Sequence, residues 1–376
     1  MDIDFTPEQE LLRDSVRRTC NRHGGLDMVR KLENDAVGYS PALWTALAEL
    51  GLLGVMLPDE HDGSGMTMVD AAIVYEELGR ALVPSPHFAS CVLAAGALLR
   101  AGDDAQKQSW LPRIAAGEAV LSVAWLEQGG GFGPAGVQVT ATPAEGGFVL
   151  DGAKQHVPFA RAADGLVVLA RSPEGVVLVL VDAGTPGLAI EQQLTVASDT
   201  QFRVTFDGVT VPAGNVLRAA ADPWAAWHDT MLDGAILLAS QAVGAARAAL
   251  ELTVDYAQKR EQFDRPLGAF QAIAHYLADA TAAVDGTQTL VWEAAWARAE
   301  GRSVDRLAPM SKLYAGKTFR DVTAMAQQVF GGNGFTLDFD VQLYFRRAKS
   351  WQLNFWDDRH LEELVAEQVL GPVRAG

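Results

Sequence analysis

Cysteine is nearly absent from this chain. Cys20 and Cys91 are the only two in 376 residues, beside seven His. That excludes a disulfide framework or a metal cage and leaves two reduced, buried thiols in a cytosolic protein as the simplest reading. Positive charge is scarce too. Thirty Lys and Arg against 47 Asp and Glu give a net charge of −17, which disfavours nucleic acid, whose phosphates would be repelled. The acidic start, MDIDFTPEQE, lacks the basic, apolar and cleavage regions of a signal peptide. Long apolar runs are missing as well. Gly165 to Val181 is broken by Arg171, Glu174 and Gly175, so no segment reads as a membrane span. The expected location is the cytoplasm.

The chain is long enough for two or three cores. Thr6-Pro7-Glu8-Gln9 opens a first helix with a capping box. Helical patterning continues through Pro41–Leu52, Val69–Leu82 and His87–Ala101, and Trp110–Ile114 and Ala119–Trp125 close this first third. Composition shifts near Gly129 to Val, Gly and Thr. Val137 to Thr142 alternates with the period of a strand, Glu145-Gly146-Gly147 is a turn, and Ser172-Pro173-Glu174-Gly175 joins two apolar runs as a hairpin. From Trp224 strand signals vanish. Leu232, Ile236, Ala239, Val243, Ala246, Leu250 and Val254 make one apolar helical face, and helices follow over 271–300, 307–330 and 359–369. The expected fold class is α+β: an N-terminal helical domain (1–125), a middle antiparallel β domain (126–223) and a C-terminal four-helix bundle (224–376).

Three stretches carry motifs. Gly131-Phe132-Gly133-Pro134-Ala135-Gly136 matches the dinucleotide pattern G-x-G-x-x-G, but strand-like sequence follows it where that pattern needs a helix, so it reads as a loop. In Met310 to Phe335, Leu313, Phe319, Val322, Ala326 and Val329 form one apolar face, with Lys312, Lys317, Arg320, Asp321 and Gln327 between them. That helix stops at Gly331-Gly332-Asn333-Gly334, which alone reads as a core helix with a glycine cap. In Tyr256 to Asp279, Arg260 offers a rigid guanidinium suited to a pyrophosphate and Phe263 a flat face for an adenine. Taken singly, they read as a surface ion pair and a core aromatic.

Together, in this order and spacing, the last two stretches resemble the flavin-binding segments of the acyl-CoA dehydrogenase family. Leu50-Gly51-Leu52 with Pro58 and Gly63-Ser64-Gly65, then Val211-Pro212, Tyr344 to Lys349 and Val365 to Gly371, extend the resemblance over nearly the whole chain. It implies FAD as cofactor, an acyl-CoA substrate oxidised to its α,β-unsaturated product, and electron-transfer flavoprotein as acceptor. It also implies assembly with itself or with a second acyl-CoA dehydrogenase subunit. Arg260, Gln262, Phe263, Gln328, Gly331 and Gly332 would then reach a neighbouring subunit's FAD.

The pattern breaks at the chemistry. The reaction needs a carboxylate base, and the family's two base positions are Phe355 and Gly234 here. Asp233, Asp357 and Asp358 lie nearby. Asp233 is rotated by roughly 100° from Gly234 on a helix, so Asp357 is the best substitute base; each also reads as a solvated charge. The family's flavin-facing Thr-Glu-Pro then Gly-Ser-Asp reads Leu126-Glu127-Gln128 then Gly129-Gly130-Gly131. Its Trp-x-Thr after a lysine reads His156-Val157-Pro158 after Lys154, and Asp264 replaces a Gly. What serves a neighbour's cofactor survives, while what holds the chain's own flavin is eroded. The expectation is a supporting subunit of a heterotetramer, like the base-less chains of bacterial steroid side-chain dehydrogenases. The alternatives are a self-sufficient enzyme with Asp357 as base and a non-enzymatic CoA-ester-binding scaffold.

Overall fold

In a computed structural model, residues 4–197 and 199–371 are described; the first three residues of the acidic start lie outside them. Six helices come first: α1 (Pro7–His23), α2 (Leu26–Lys31), α3 (Pro41–Glu49), α4 (Met68–Arg80), α5 (Ala95–Ala101) and α6 (Asp104–Ala115). Eight strands follow: β1 (Leu121–Ala124), β2 (Thr140–Ala144), β3 (Gly147–Pro158), β4 (Gly165–Ser172), β5 (Gly175–Asp182), β6 (Leu188–Gln193), β7 (Gln201–Pro212) and β8 (Val216–Leu217). Then come α7 (Pro223–Lys259), a short hairpin of β9 (Glu261–Gln262) and β10 (Arg265–Pro266), α8 (Gln271–Ala299), α9 (Leu307–Phe330), α10 (Val341–Leu353) and α11 (Asp358–Leu370). The fold is α+β as expected: helices, a β domain, helices. The capping box at Thr6 and Gln9 forms, with each side chain bonded to the other's backbone amide.

The sheet departs from expectation in one respect. Its order is β6-β7-β3-β2-β4-β5-β8 with β1 beside β4, and it is mixed. The pairs β1–β4 and β2–β4 are parallel. Ala119–Trp125, read with the helical third, supplies β1. A parallel partner needs a long crossover, and the β2–β3 hairpin fills the chain between β1 and β4.

By contacts the chain forms two compact units: Met1–Arg30, Thr67–Val83 and Ala235–Gly376 in one, Lys31–Met66 and Pro84–Gly234 in the other. The boundary falls inside α7. This helix is long and apolar enough by length and composition to cross a bilayer, but 78% of its most apolar stretch is buried inside the protein, as in a core helix.

In the first unit α7 packs with α8, α9 and α10 around Val243, Leu250, Val284, Phe319 and Leu343. Helices α4 and α7 meet backbone to backbone, because a Cβ on Gly79 would overlap the Gln241 carbonyl and one on Gly244 the Glu76 carbonyl. This crossing buries Glu76, which accepts from Gln288 Nε2. Burial pushes its carboxyl from 4.5 up to about 7 against the pull of Arg247. Between those values the folded protein holds a proton that the unfolded chain has released, so Glu76 makes stability fall as pH rises from 4.5 through 7. Glu76→Gln keeps the acceptor and removes the charge. It is expected to stabilise by about 2 kcal/mol at pH 8 and to change little near pH 5, read by urea unfolding at both values.

In the second unit β4 is almost wholly buried, and β5 is buried from Leu178 to Val181. The β4–β5 hairpin turns between Ser172 and Gly175, where the sequence placed it.

Candidate functional site

Two arms leave the first unit at the ends of α7 and α9. At the first, Leu267 N donates to Arg260 O (2.8 Å) and closes the β9–β10 hairpin. Its two-residue turn is Phe263-Asp264, both with positive φ (54° and 63°), the pattern of a type I′ turn that Asn-Gly fills with least strain. Phe263 is 86% exposed. Its ring stands edge-on to Phe270 at 6.2 Å, and the Arg265 guanidinium lies 4.0 Å over that same ring. Arg260 and Gln262 are exposed, and among the described residues the Arg260 guanidinium makes no hydrogen bond or ion pair.

The second arm is the turn after α9. Gly331 has φ 59° and ψ −135°, a conformation that strains any residue with a Cβ. Gly332 has no positive φ, and a Cβ there would meet nothing within 4 Å. Nothing among the described residues therefore demands glycine at 332, whereas a ligand crossing closely would. Gln328, Gly331 and Gly332 are exposed. Lys312 and Gln327, read on the polar side of this helix, are instead 3% and 8% exposed.

The arms touch each other. The Tyr256 and Phe330 rings stack with centroids 4.0 Å apart at 15°, and Asn333 Nδ2 donates to Tyr256 Oη at 3.0 Å.

The β domain is knit together by Glu127 and Lys154, two residues that keep the family pattern beside the positions that depart from it. Lys154 is wholly buried. Its Nζ donates to Glu127 Oε1 (2.6 Å) and to Trp125 O (3.2 Å). Glu127 Oε1 also accepts from the amides of Gln138 (2.8 Å) and Val139 (3.0 Å). Burial pulls the Lys154 amine down to about 8, partly offset by Glu127. Strand β3 loses register between Lys154 and Val157. In that irregularity His156 has φ 54°, with Nδ1 2.7 Å from Gln201 Oε1. The Pro158 carbonyl accepts from Ser122 Oγ.

Both base positions are filled or turned to other work. A Cβ on Gly234 would lie 3.0 Å from Leu93 Cδ2 and 3.1 Å from Phe88 Cζ. The neighbouring Asp233 accepts from Arg100 Nη2 at 2.6 Å, and Arg100 Nε donates to Asp229 at 2.6 Å. At the other position Phe355 and Trp356 both have positive φ (53° and 77°). The buried Lys312 holds this loop, donating to Trp356 O (2.7 Å) and Trp351 O (3.3 Å). Burial draws its amine down to about 7, against Asp358 and Asp357. The Asp357 carboxylate caps α11, accepting from His360 N at 2.9 Å, and Asp358 accepts from Gln352 Nε2 at 2.6 Å.

Family models of the acyl-CoA dehydrogenase N-terminal, middle and C-terminal domains match residues 6–118, 122–209 and 224–357. The acyl-CoA dehydrogenase FadE27 of Mycobacterium tuberculosis is 31% identical over 328 residues, 85% of this chain and 86% of its own. The chain belongs to the acyl-CoA dehydrogenase family. Among solved structures it is similar to the ChsE4–ChsE5 complex of Mycobacterium tuberculosis, at 27% identity and TM-score 0.90, covering 99% of this chain and 100% of that one. It is also similar to a Tcur3481–Tcur3483 steroid ACAD variant, at 32% identity and TM-score 0.86, covering 96% and 99%.

Acyl-CoA dehydrogenases are oxidoreductases acting on CH–CH groups, and the cofactor is FAD. The two arms fit that cofactor. They offer an uncommitted guanidinium, an exposed aromatic face and a glycine turn open to close approach, the groups needed for a pyrophosphate and an adenine. When bound, FAD supplies the acceptor for the substrate's β-hydrogen. Sequence reasoning missed the stacked Tyr256–Phe330 pair and the Phe88 plug at Gly234. Both are contacts between residues far apart in the chain.

Proposed function

We propose that this acyl-CoA dehydrogenase chain is the supporting subunit of a heterotetramer. In this reading it holds a partner's FAD with Arg260, Gln262, Phe263, Gln328, Gly331 and Gly332, and supplies no base of its own. One contrast carries the reading: Arg260, Gln262, Phe263, Gln328, Gly331 and Gly332 are all kept and exposed, while Gly234 is packed off by Phe88 and Leu93 and Phe355 replaces the other carboxylate. Likeness to the two-chain ChsE4–ChsE5 complex and to a steroid ACAD supports it. The partner would remove the α-proton from a bulky acyl-CoA such as a steroid side chain. Electrons would leave to electron-transfer flavoprotein, in the cytoplasm. The division at 1–125, 126–223 and 224–376 belongs to the same reading. Asp357 as an independent base is disfavoured, because its carboxylate is spent on capping α11.

Purified alone, the chain is expected to be poor in flavin. Co-expressed with an acyl-CoA dehydrogenase chain that has Glu at either base position, it should yield a yellow, active assembly. A flavin-replete homo-oligomer that turns over by itself overturns the proposal. Absence of flavin with every partner leaves the CoA-ester-binding scaffold.

A further inference from the structure

The cofactor arms come from segments far apart in sequence. Arg260 lies one helical turn beyond Tyr256, and Asn333 directly follows Gly332. The Asn333 Nδ2 to Tyr256 Oη bond spans 77 residues and joins the two arms directly. Around it Phe330 stacks on the Tyr256 ring, and Phe339 stands edge-on to both at 6.1 and 5.7 Å. The segment that follows is tied down by the Arg30–Asp340 ion pair at 2.6 Å. The stack alone would let the turn slide over a flat face, since aromatic pairs tolerate offset. A directional hydrogen bond fixes the register.

We propose that Tyr256 and Asn333 are positioning residues that hold the two cofactor arms as one preformed clamp. This rests on the cross-subunit reading above. A ligand that meets two loose arms must order each of them, whereas a ligand that meets a joined pair does not. The hydroxyl and the amide touch each other; neither is needed to touch FAD.

The test uses the assembly recovered from its own cells through a tag on this chain, with FAD release followed by flavin fluorescence after dilution. Tyr256→Phe keeps the stack and loses the bond, and Asn333→Ala loses the same bond from the other side. Each is expected to speed release about five- to tenfold, as loss of one hydrogen bond would, and to leave melting of the FAD-stripped assembly unchanged. The double variant should release no faster than either single one, because both remove one interaction. Unchanged release overturns the proposal. So do additive effects, or a fall in apo melting in step with release, since those mark ordinary packing. Arg260→Ala separates the two levels. If it speeds release while the other variants do not, only the clamp fails. If it too changes nothing, the cross-subunit cofactor reading fails with it.

Discussion

Arg260→Ala is expected to weaken FAD binding by the assembly about ten- to a hundredfold, the range for a charge-assisted hydrogen bond of about 1.5–3 kcal/mol. The fold should not notice, because the guanidinium makes no hydrogen bond or ion pair among the described residues. This makes the substitution a clean one: the side chain has no partner to strand. A chain of net charge −17 repels a diphosphate on average. At physiological salt charges beyond about 8 Å are screened, so the nearest groups decide, and Glu261 and Asp264 flank the same hairpin. Lys259 on this arm pairs with Asp255 and Arg265 lies over the Phe270 ring, so removing Arg260 takes away the cation that has neither kind of partner among the described residues. Arg260→Lys should fall between, keeping the charge and losing the planar fork that matches a pyrophosphate. Equilibrium FAD titration with circular dichroism as the control for folding is the measurement. FAD binding equal to wild type would mean that the arms serve something other than the cofactor.

Much of the fold was legible because it rests on local patterns. The α9 stripe from Leu313 to Val329, the capping box at Thr6 and the Ser172–Gly175 hairpin each follow from residues within one or two turns of each other, and all formed where expected. The arms were expected from a resemblance to family motifs, not from local pattern, and the structure puts Arg260, Phe263 and the glycine turn just after the ends of α7 and α9. What was not legible is what distant residues do to each other. Lys312 looks like a polar-face residue by spacing, yet it is drawn inside to hold the carbonyls of Trp351 and Trp356. β1 looks like the end of a helical region until β4 pairs with it. At Gly234 the sequence shows only a missing carboxylate. The structure adds that Phe88 and Leu93 have taken the space, so restoring Glu there would mean overpacking as well as adding a charge.

Glu127→Ala is expected to be the most destabilising single change considered, by about 3–5 kcal/mol, because it strands a fully buried lysine. Glu127 Oε1 alone serves the Lys154 ammonium and the amides of Gln138 and Val139, so three donors lose one acceptor. The melting temperature should fall on the order of 10 °C. The pH dependence identifies the cause. Burial already draws the Lys154 amine from 10.5 down to about 8, with Glu127 opposing. Without Glu127 it drops further, and the variant then sheds in the folded state a proton that its unfolded chain keeps. Stability rises with pH wherever the unfolded state binds more protons. The variant enters that regime at lower pH than the wild type, so its deficit should shrink as pH rises toward 8. Pairing the change with Lys154→Met should recover part of the loss, since an apolar side chain of similar length needs no partner. Glu127 lies in the stretch that resembles the family's flavin-facing loop, so the result reports how firmly that stretch is held. A carboxylate bound this way to Lys154 and to the amides of Gln138 and Val139 keeps that loop knit into the β domain. A Glu127→Ala protein that melts like the wild type would show that this carboxylate does not hold the loop.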